Sequence, residues 1–121
     1  MGGTILIVVE DLLFLSKIQQ TAQLTGVTVK PADPAQGLEA IAKQAPQGII
    51  LDLNHRSLSA IELIRTLKAH PDTKPIPLVG FVSHVQSELI AAAREAGCDI
   101  VLARSAFTQQ LPDLLKRLVE K

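Results

Sequence analysis

Carboxylates, an amide, a hydroxyl and a guanidinium recur in this chain directly after short apolar runs: Glu10 and Asp11, Asp52 and Asn54, Ser83 and His84, Arg104 and Ser105. Together they are the makings of a polar ligand site. They can meet only if the runs before them are neighbouring parallel strands, because ligands of a doubly wound sheet sit beyond the carboxyl ends of its strands, where strand order reverses.

Apolar runs predict strands over Thr4–Val9, Val27–Lys30, Gly48–Asp52, Ile76–Phe81 and Ile100–Ala103. Between and after them, apolar residues at helical spacing predict helices over Leu12–Thr25, Ala35–Gln44, Ser59–His70, Gln86–Ala96 and Phe107–Glu120. Such alternation signals a parallel sheet covered by helices. The first, third and fourth runs are almost continuously Ile, Leu and Val, as central strands buried on both faces require. In the second, Thr28 and Lys30 alternate with Val27 and Val29, which suits an edge. Punctuation agrees: Gly26 and Gly97 stand where left-handed helix caps are wanted, and Pro34 and Pro46 bracket the second helix. In the last helix Leu111, Leu114, Leu115 and Leu118 form one stripe; in the second, Leu38, Ile41 and Ala42 do the same.

A chain of 121 residues, 47% of them hydrophobic, is expected to form one domain, spanning 1–121, around one aliphatic core. Its three Phe, with no Trp or Tyr, offer no stacking platform for bases, and twelve cationic residues balance twelve acidic ones without a run of either sign. Nucleic acid and anionic membrane are thus poor partners. The lone Cys98 cannot close an intrachain disulfide and suits a reducing, cytoplasmic setting as a small buried residue. No apolar run is long enough for a bilayer span, the start lacks the features of a signal peptide, and Leu6 stands where a myristoylated chain needs Ser or Thr.

The blocks ILIVVED, IILDLN, PLVGF and GCDIVLAR, in this order and spacing, resemble the successive strand blocks of bacterial response-regulator receiver domains, and the resemblance covers nearly the whole chain. It implies a flavodoxin-like (βα)5 three-layer sandwich with a five-stranded parallel sheet of receiver-type strand order. By the same resemblance, Asp52 matches the aspartate that accepts a phosphoryl group from a histidine kinase. Glu10 matches one of two acidic residues that hold Mg²⁺, and Asn54 occupies the position whose backbone carbonyl completes the metal site.

The departures concern the same machinery. Val9 replaces the first acidic residue, Val82 the Thr or Ser after the fourth strand with Ser83 following it, Arg104 the Lys, and Val101 the switch aromatic. Arg56 stands in place of a Pro, Ser59-Ala60 in place of Asp-Gly, and Arg104-Ser105 in place of Lys-Pro. Mg²⁺ depends on clustered oxygen ligands, so loss of one carboxylate predicts weak binding, which Asp11 would offset if it turned inward. A guanidinium grips a carboxylate through two parallel bonds, so Arg104 is expected to pair with Asp52 and lower its pKa.

Plainer roles stand beside these. Asp52 suits a loop cap, Glu10 and Asp11 suit the positive end of the first helix, and His55, His84 and Arg56 suit solvated surface positions. Leu12 and Leu15 are expected on the exposed side of that helix, with Phe14 and Ile18 inward, where they would serve a partner helix or a dimer. The expectation is a signalling module rather than an enzyme: a phosphorylation-impaired pseudo-receiver of a two-component phosphorelay, working by contact with a histidine kinase or an output protein. Two alternatives remain open, a receiver phosphorylated on Asp52 and a flavodoxin-like domain binding a small molecule. The first strand-to-helix loop, however, lacks a Gly-rich or Ser/Thr-rich phosphate cradle.

Overall fold

The computed structural model describes residues 4–32, 41, 43–55, 59–83 and 86–120. In chain order its elements are β1 (Thr4–Val8), α1 (Leu12–Thr25), β2 (Thr28–Pro31), β3 (Gly48–Asp52), α2 (Ala60–Ala69), β4 (Leu78–Val82), α3 (Ser87–Ala96), β5 (Ile100–Ala103) and α4 (Arg104–Val119). The five strands pair in parallel in the order β2-β1-β3-β4-β5. Strand order reverses between β1 and β3, so the carboxyl ends of these two flank the switch point.

Alternation within each strand divides the core in two. Leu6, Val8, Ile49, Leu51, Leu78 and Val82 face one side with Ile64 and Leu67 of α2. Ile5, Ile7, Ile50, Val79 and Phe81 face the other, against Phe14 and Ile18 of α1 and Phe107, Leu111, Leu114 and Leu115 of α4. All three phenylalanines meet there, with ring centroids 4.8 Å apart for Phe14–Phe81 and for Phe81–Phe107. Burial on both faces is why β1, β3 and β4 carry continuous apolar runs. The largely exposed β2 lies at an edge, as its mixed pattern predicted.

Several boundaries differ from those read in the sequence. β4 begins at Leu78 rather than Ile76, because Ile76 belongs to a turn: its N–H donates to Thr73 O at 3.0 Å, and its own carbonyl accepts from Lys68 Nζ at 3.0 Å. The same ammonium donates to Lys74 O and to Asp99 Oδ2, each at 3.0 Å, and Asp99 Oδ2 also takes the Leu78 N–H at 2.7 Å. β2 starts one residue later than expected. α4 begins at Arg104 rather than Phe107, since Arg104, Ser105 and Ala106 include no helix breaker. It runs through Pro112, which lacks the N–H that would bond the preceding turn, and its four buried apolar residues offset that loss. Of the second expected helix, Ile41, Lys43 and Gln44 are helical and Ile41 is buried. Pro34, Ala35, Leu38 and Ala42 lie outside the described residues, as do Arg56 and His84. No helix among the described residues is long and apolar enough to cross a membrane.

Two helices end on glycines with positive φ, Gly26 at 74° and Gly97 at 115°. A Cβ at Gly26 would meet nothing within 4 Å, whereas one at Gly97 would come within 2.8 Å of Lys68 Cγ. Gly26→Ala is therefore expected to cost about 1 kcal/mol for its left-handed backbone. Gly97→Ala will cost more, because it also displaces the lysine that ties α2 to β4 and β5. Urea unfolding of the two variants measures the difference.

Candidate functional site

The carboxyl ends of the strands open into a cleft of about 520 Å³ lined by Glu10, Asp11, Asp52, Asn54, Ser83 and Arg104. All six were read from the sequence as chemistry-bearing, and the sheet brings them together because β1, β3 and β4 are parallel neighbours whose carboxyl ends lie within two residues of one another in register. In register, Asp52 lies beside Phe81 and Val82 beside Ala103.

Asp52 closes β3 and is half-buried. Its Oδ1 accepts the N–H of Asn54 at 2.9 Å, while its carbonyl accepts that of His55 at 3.2 Å, giving a tight turn at the strand end. Burial raises its pKa above the usual carboxylate value, against the opposing influence of the Asn54 N–H and of the neighbouring His55 and Arg104.

Arg104 does not pair with Asp52. Its Nη2 donates to Asp11 Oδ2 at 2.9 Å, and its guanidinium lies 4.2 Å from the Phe14 ring centroid. The expected Arg104–Asp52 clamp, and the lowered Asp52 pKa that went with it, are both overturned. The reason is local. Asp11 is the N-cap of α1, its Oδ1 accepting the N–H groups of Leu13 at 3.0 Å and Phe14 at 3.3 Å, which fixes the carboxylate with Oδ2 toward Arg104. Phe14, one turn along, supplies a face on which the planar cation rests. The Arg104 hydrogen bond, aided by the capped N–H groups, holds the Asp11 carboxyl below its ordinary pKa. With both oxygens engaged, Asp11 does not turn toward a metal as a fourth ligand would.

Val9 packs its side chain toward the α1/α4 side of the core and adds no oxygen to the cleft. Val82 is wholly buried on the opposite side. Ser83, exposed, presents its N–H to Asn54 Oδ1 at 2.8 Å, and Asn54 Nδ2 donates to Gln86 Oε1 at 2.7 Å. Sequence reasoning assigned Asn54 only a backbone role and missed this use of its carboxamide. It also misjudged His55, whose side chain is 10% exposed with Nδ1 3.9 Å from Glu10 Oε1. An acid-amide-His succession after a buried strand was the only available signal.

On α1, Leu12 is 77% exposed and Phe14 and Ile18 are buried, as expected. Leu15 departs from expectation. It lies three residues before Ile18, on the flank of the buried stripe, and packs partly against the core. Leu13, 85% exposed, takes the place beside Leu12 that Leu15 had been given. Cys98 is buried, its Sγ contacting the carbonyls of Ile100 and Leu78, and burial pushes its thiol up to about 11, far from a reactive thiolate.

Comparison with known proteins places this geometry. No family model matches the chain. The transcriptional regulatory protein PrrA of Mycobacterium tuberculosis is 26% identical over 118 residues, covering 97% of this chain and 50% of that protein. The chain spans about half the length of the curated relatives it matches. Among solved structures, a putative response regulator from Chloroflexus aurantiacus superposes with a TM-score of 0.87 at 24% identity, covering all of both chains. The receiver domain of a Pseudomonas aeruginosa sensor histidine kinase, with magnesium in its active-site cleft, gives 0.83 at 19% identity, covering 98% of each chain. The likeness read in the four strand blocks therefore extends to the whole chain: its sequence relatives are response regulators and its fold is that of receiver domains.

The two acids predict opposite pH behaviour. Because folding raises the Asp52 pKa, its ionisation weakens the fold above that pKa and not below the unfolded value near 3.8. Asp52→Asn is expected to raise Tm at pH 7, the gain vanishing as pH falls to 3. Asp11→Asn should instead lower Tm at pH 7, with the loss shrinking as acid protonates the wild-type carboxyl. Thermal melts across that range test both signs.

Proposed function

We propose that this chain is a receiver module of two-component signalling that acts by docking to a partner protein, with phosphoryl transfer to Asp52 impaired. One observation carries the reading: the cation at position 104, which stands where the receiver resemblance has a Lys and was expected to pair with Asp52, is bound instead to Asp11 and rests on Phe14. A phosphoryl group arriving on Asp52 would have to break that pair first. It would also find Val82, buried and without a hydroxyl, where the resemblance puts the group that draws the loop after β4 toward the phosphate.

The metal is weakened for a related reason. Glu10, Asp52 and the Asn54 carbonyl are the groups that would hold Mg²⁺, which when bound supplies positive charge to phosphoryl oxygens. Their hard oxygen chemistry fits the ion. Among the described residues, however, no three His, Cys, Asp or Glu side chains gather closely enough to hold it by themselves. Binding is therefore shallow and dependent on water.

Docking has a surface at hand. Leu12 and Leu13 follow Asp11 at the cleft and leave most of their side chains in water. Exposed leucines so placed suit the apolar side of a helix from a histidine kinase or an output protein. A second reading, Asp52 as a working phosphoacceptor, is favoured by one observation, the gathering of Asp52 and Glu10 in a single cleft at the switch point.

Beryllofluoride with Mg²⁺ separates the two. On the docking reading, the two-dimensional NMR resonances of Asp52, Asn54, Ser83 and Arg104 stay in place at millimolar reagent, and a partner captured from native extract binds wild type and Asp52→Ala equally. Combined Leu12→Asp and Leu13→Asp substitution lowers that capture at least tenfold. Saturable shifts around Asp52, or stoichiometric acylphosphate, would establish the phosphoacceptor instead.

A further inference from the structure

Asn54 sits two residues after Asp52 and spends its side chain on two partners from another connection. Its Oδ1 takes the N–H of Ser83, the first residue after β4, at 2.8 Å, and its Nδ2 reaches Oε1 of Gln86, the N-cap residue of α3, at 2.7 Å. The backbone N–H of Asn54 at the same time holds Asp52 Oδ1 at 2.9 Å. One residue thereby joins the end of β3, the end of β4 and the start of α3.

The cap residue shows how α3 depends on this. Gln86 makes no side-chain hydrogen bond to its own helix, although a helix start leaves its first N–H groups without intrahelical partners. Its carboxamide oxygen is given to Asn54. Helix α3 begins with Ile90 N–H donating to Gln86 O at 3.0 Å, so the position of Gln86 sets where the first turn starts. Ser83 lines the cleft, and its N–H has in Asn54 an acceptor already in place.

We infer that Asn54 is a positioning residue whose carboxamide acts as a built-in stand-in for an anionic group on Asp52, holding the end of β4 and the start of α3 together without any modification. Oδ1 provides the oxygen that the Ser83 amide would otherwise seek in the cleft, and Nδ2 fixes α3 through Gln86. The two contacts are separable. This deepens the docking reading, on which it rests for its functional meaning, because it gives the α3 side of the molecule a single arrangement regardless of the state of Asp52. Loss of a hydrogen bond that closes a local structure opens it locally, without requiring global unfolding.

Amide hydrogen exchange on the whole chain tests the clasp, with the β3 amide of Ile50 as the global reference. Asn54→Ala is expected to speed exchange at Ser83 and at Ile90 by about tenfold each while Ile50 is unchanged. Gln86→Ala should speed Ile90 alone. Asn54→Asp, which keeps an acceptor for Ser83 but loses the donor to Gln86, should restore Ser83 and leave Ile90 fast. A purely structural loss would accelerate all three amides together and would overturn the inference, as would an unchanged Ser83 in Asn54→Ala. Beryllofluoride reads the phosphoryl site and exchange reads the clasp, so a saturable shift in wild type would sink the docking function while leaving the clasp standing. Slow exchange at Ser83 in Asn54→Ala would do the reverse.

Discussion

A sheet buried on both faces dictates where this molecule can keep polar groups. β1, β3 and β4 are covered by helices on either side, and an unpaired carboxylate or guanidinium in their middles would be left without water. Polar side chains are therefore driven to the strand ends, and because the strands are parallel and in register, ends of one kind lie together. Glu10, Asp52 and Ser83 meet in one cleft for this reason alone. The chemistry of the site follows from how those crowded groups share their partners.

That sharing is unequal. Asp11 has two claims on it, the open N–H groups at the start of α1 and the guanidinium of Arg104, and it satisfies both with separate oxygens. Asp52, deeper and less solvated, accepts the backbone N–H of Asn54 and has its pKa pushed upward by burial. A flexible arginine within reach of two carboxylates settles on the one that is already oriented and that lies beside an aromatic face. Capping, stacking and ion pairing thus reinforce one another on α1, and the cation of the cleft is committed to Asp11 rather than to Asp52. On its other side Asn54 accepts the Ser83 N–H and donates to Gln86, so the ends of β3 and β4 and the start of α3 share one carboxamide.

Much of this was legible in the residues. The apolar runs located all five strands, with the ends of β3 and β5 and the whole of α1 placed as found. Central and edge strands could be told apart because burial on two faces and on one leave different patterns. The six cleft residues were also readable, since strand ends are where polar residues follow apolar runs. What escaped was decided by long side chains and by three-dimensional competition. The start of β4 is withheld by Lys68, a residue of another element. The choice of Arg104 between two acids depends on the angle of an N-cap. Leu15 departs from its expected exposure because the buried stripe of α1 is wide enough to reach it. His55 is enclosed by neighbours that no local pattern announces.

At the opposite end of β4, Lys68 gathers the carbonyls of Lys74 and Ile76 and the carboxylate of Asp99, while Asp99 also secures the first amide of the strand. Four residue steps of strand separate that knot from Val82, roughly 13 Å of backbone. Sites so far apart with no shared partners contribute almost independently to stability. The molecule thus keeps its keel at one pole and its polar cleft at the other, which leaves the cleft at liberty to change its side chains without capsizing the fold beneath it.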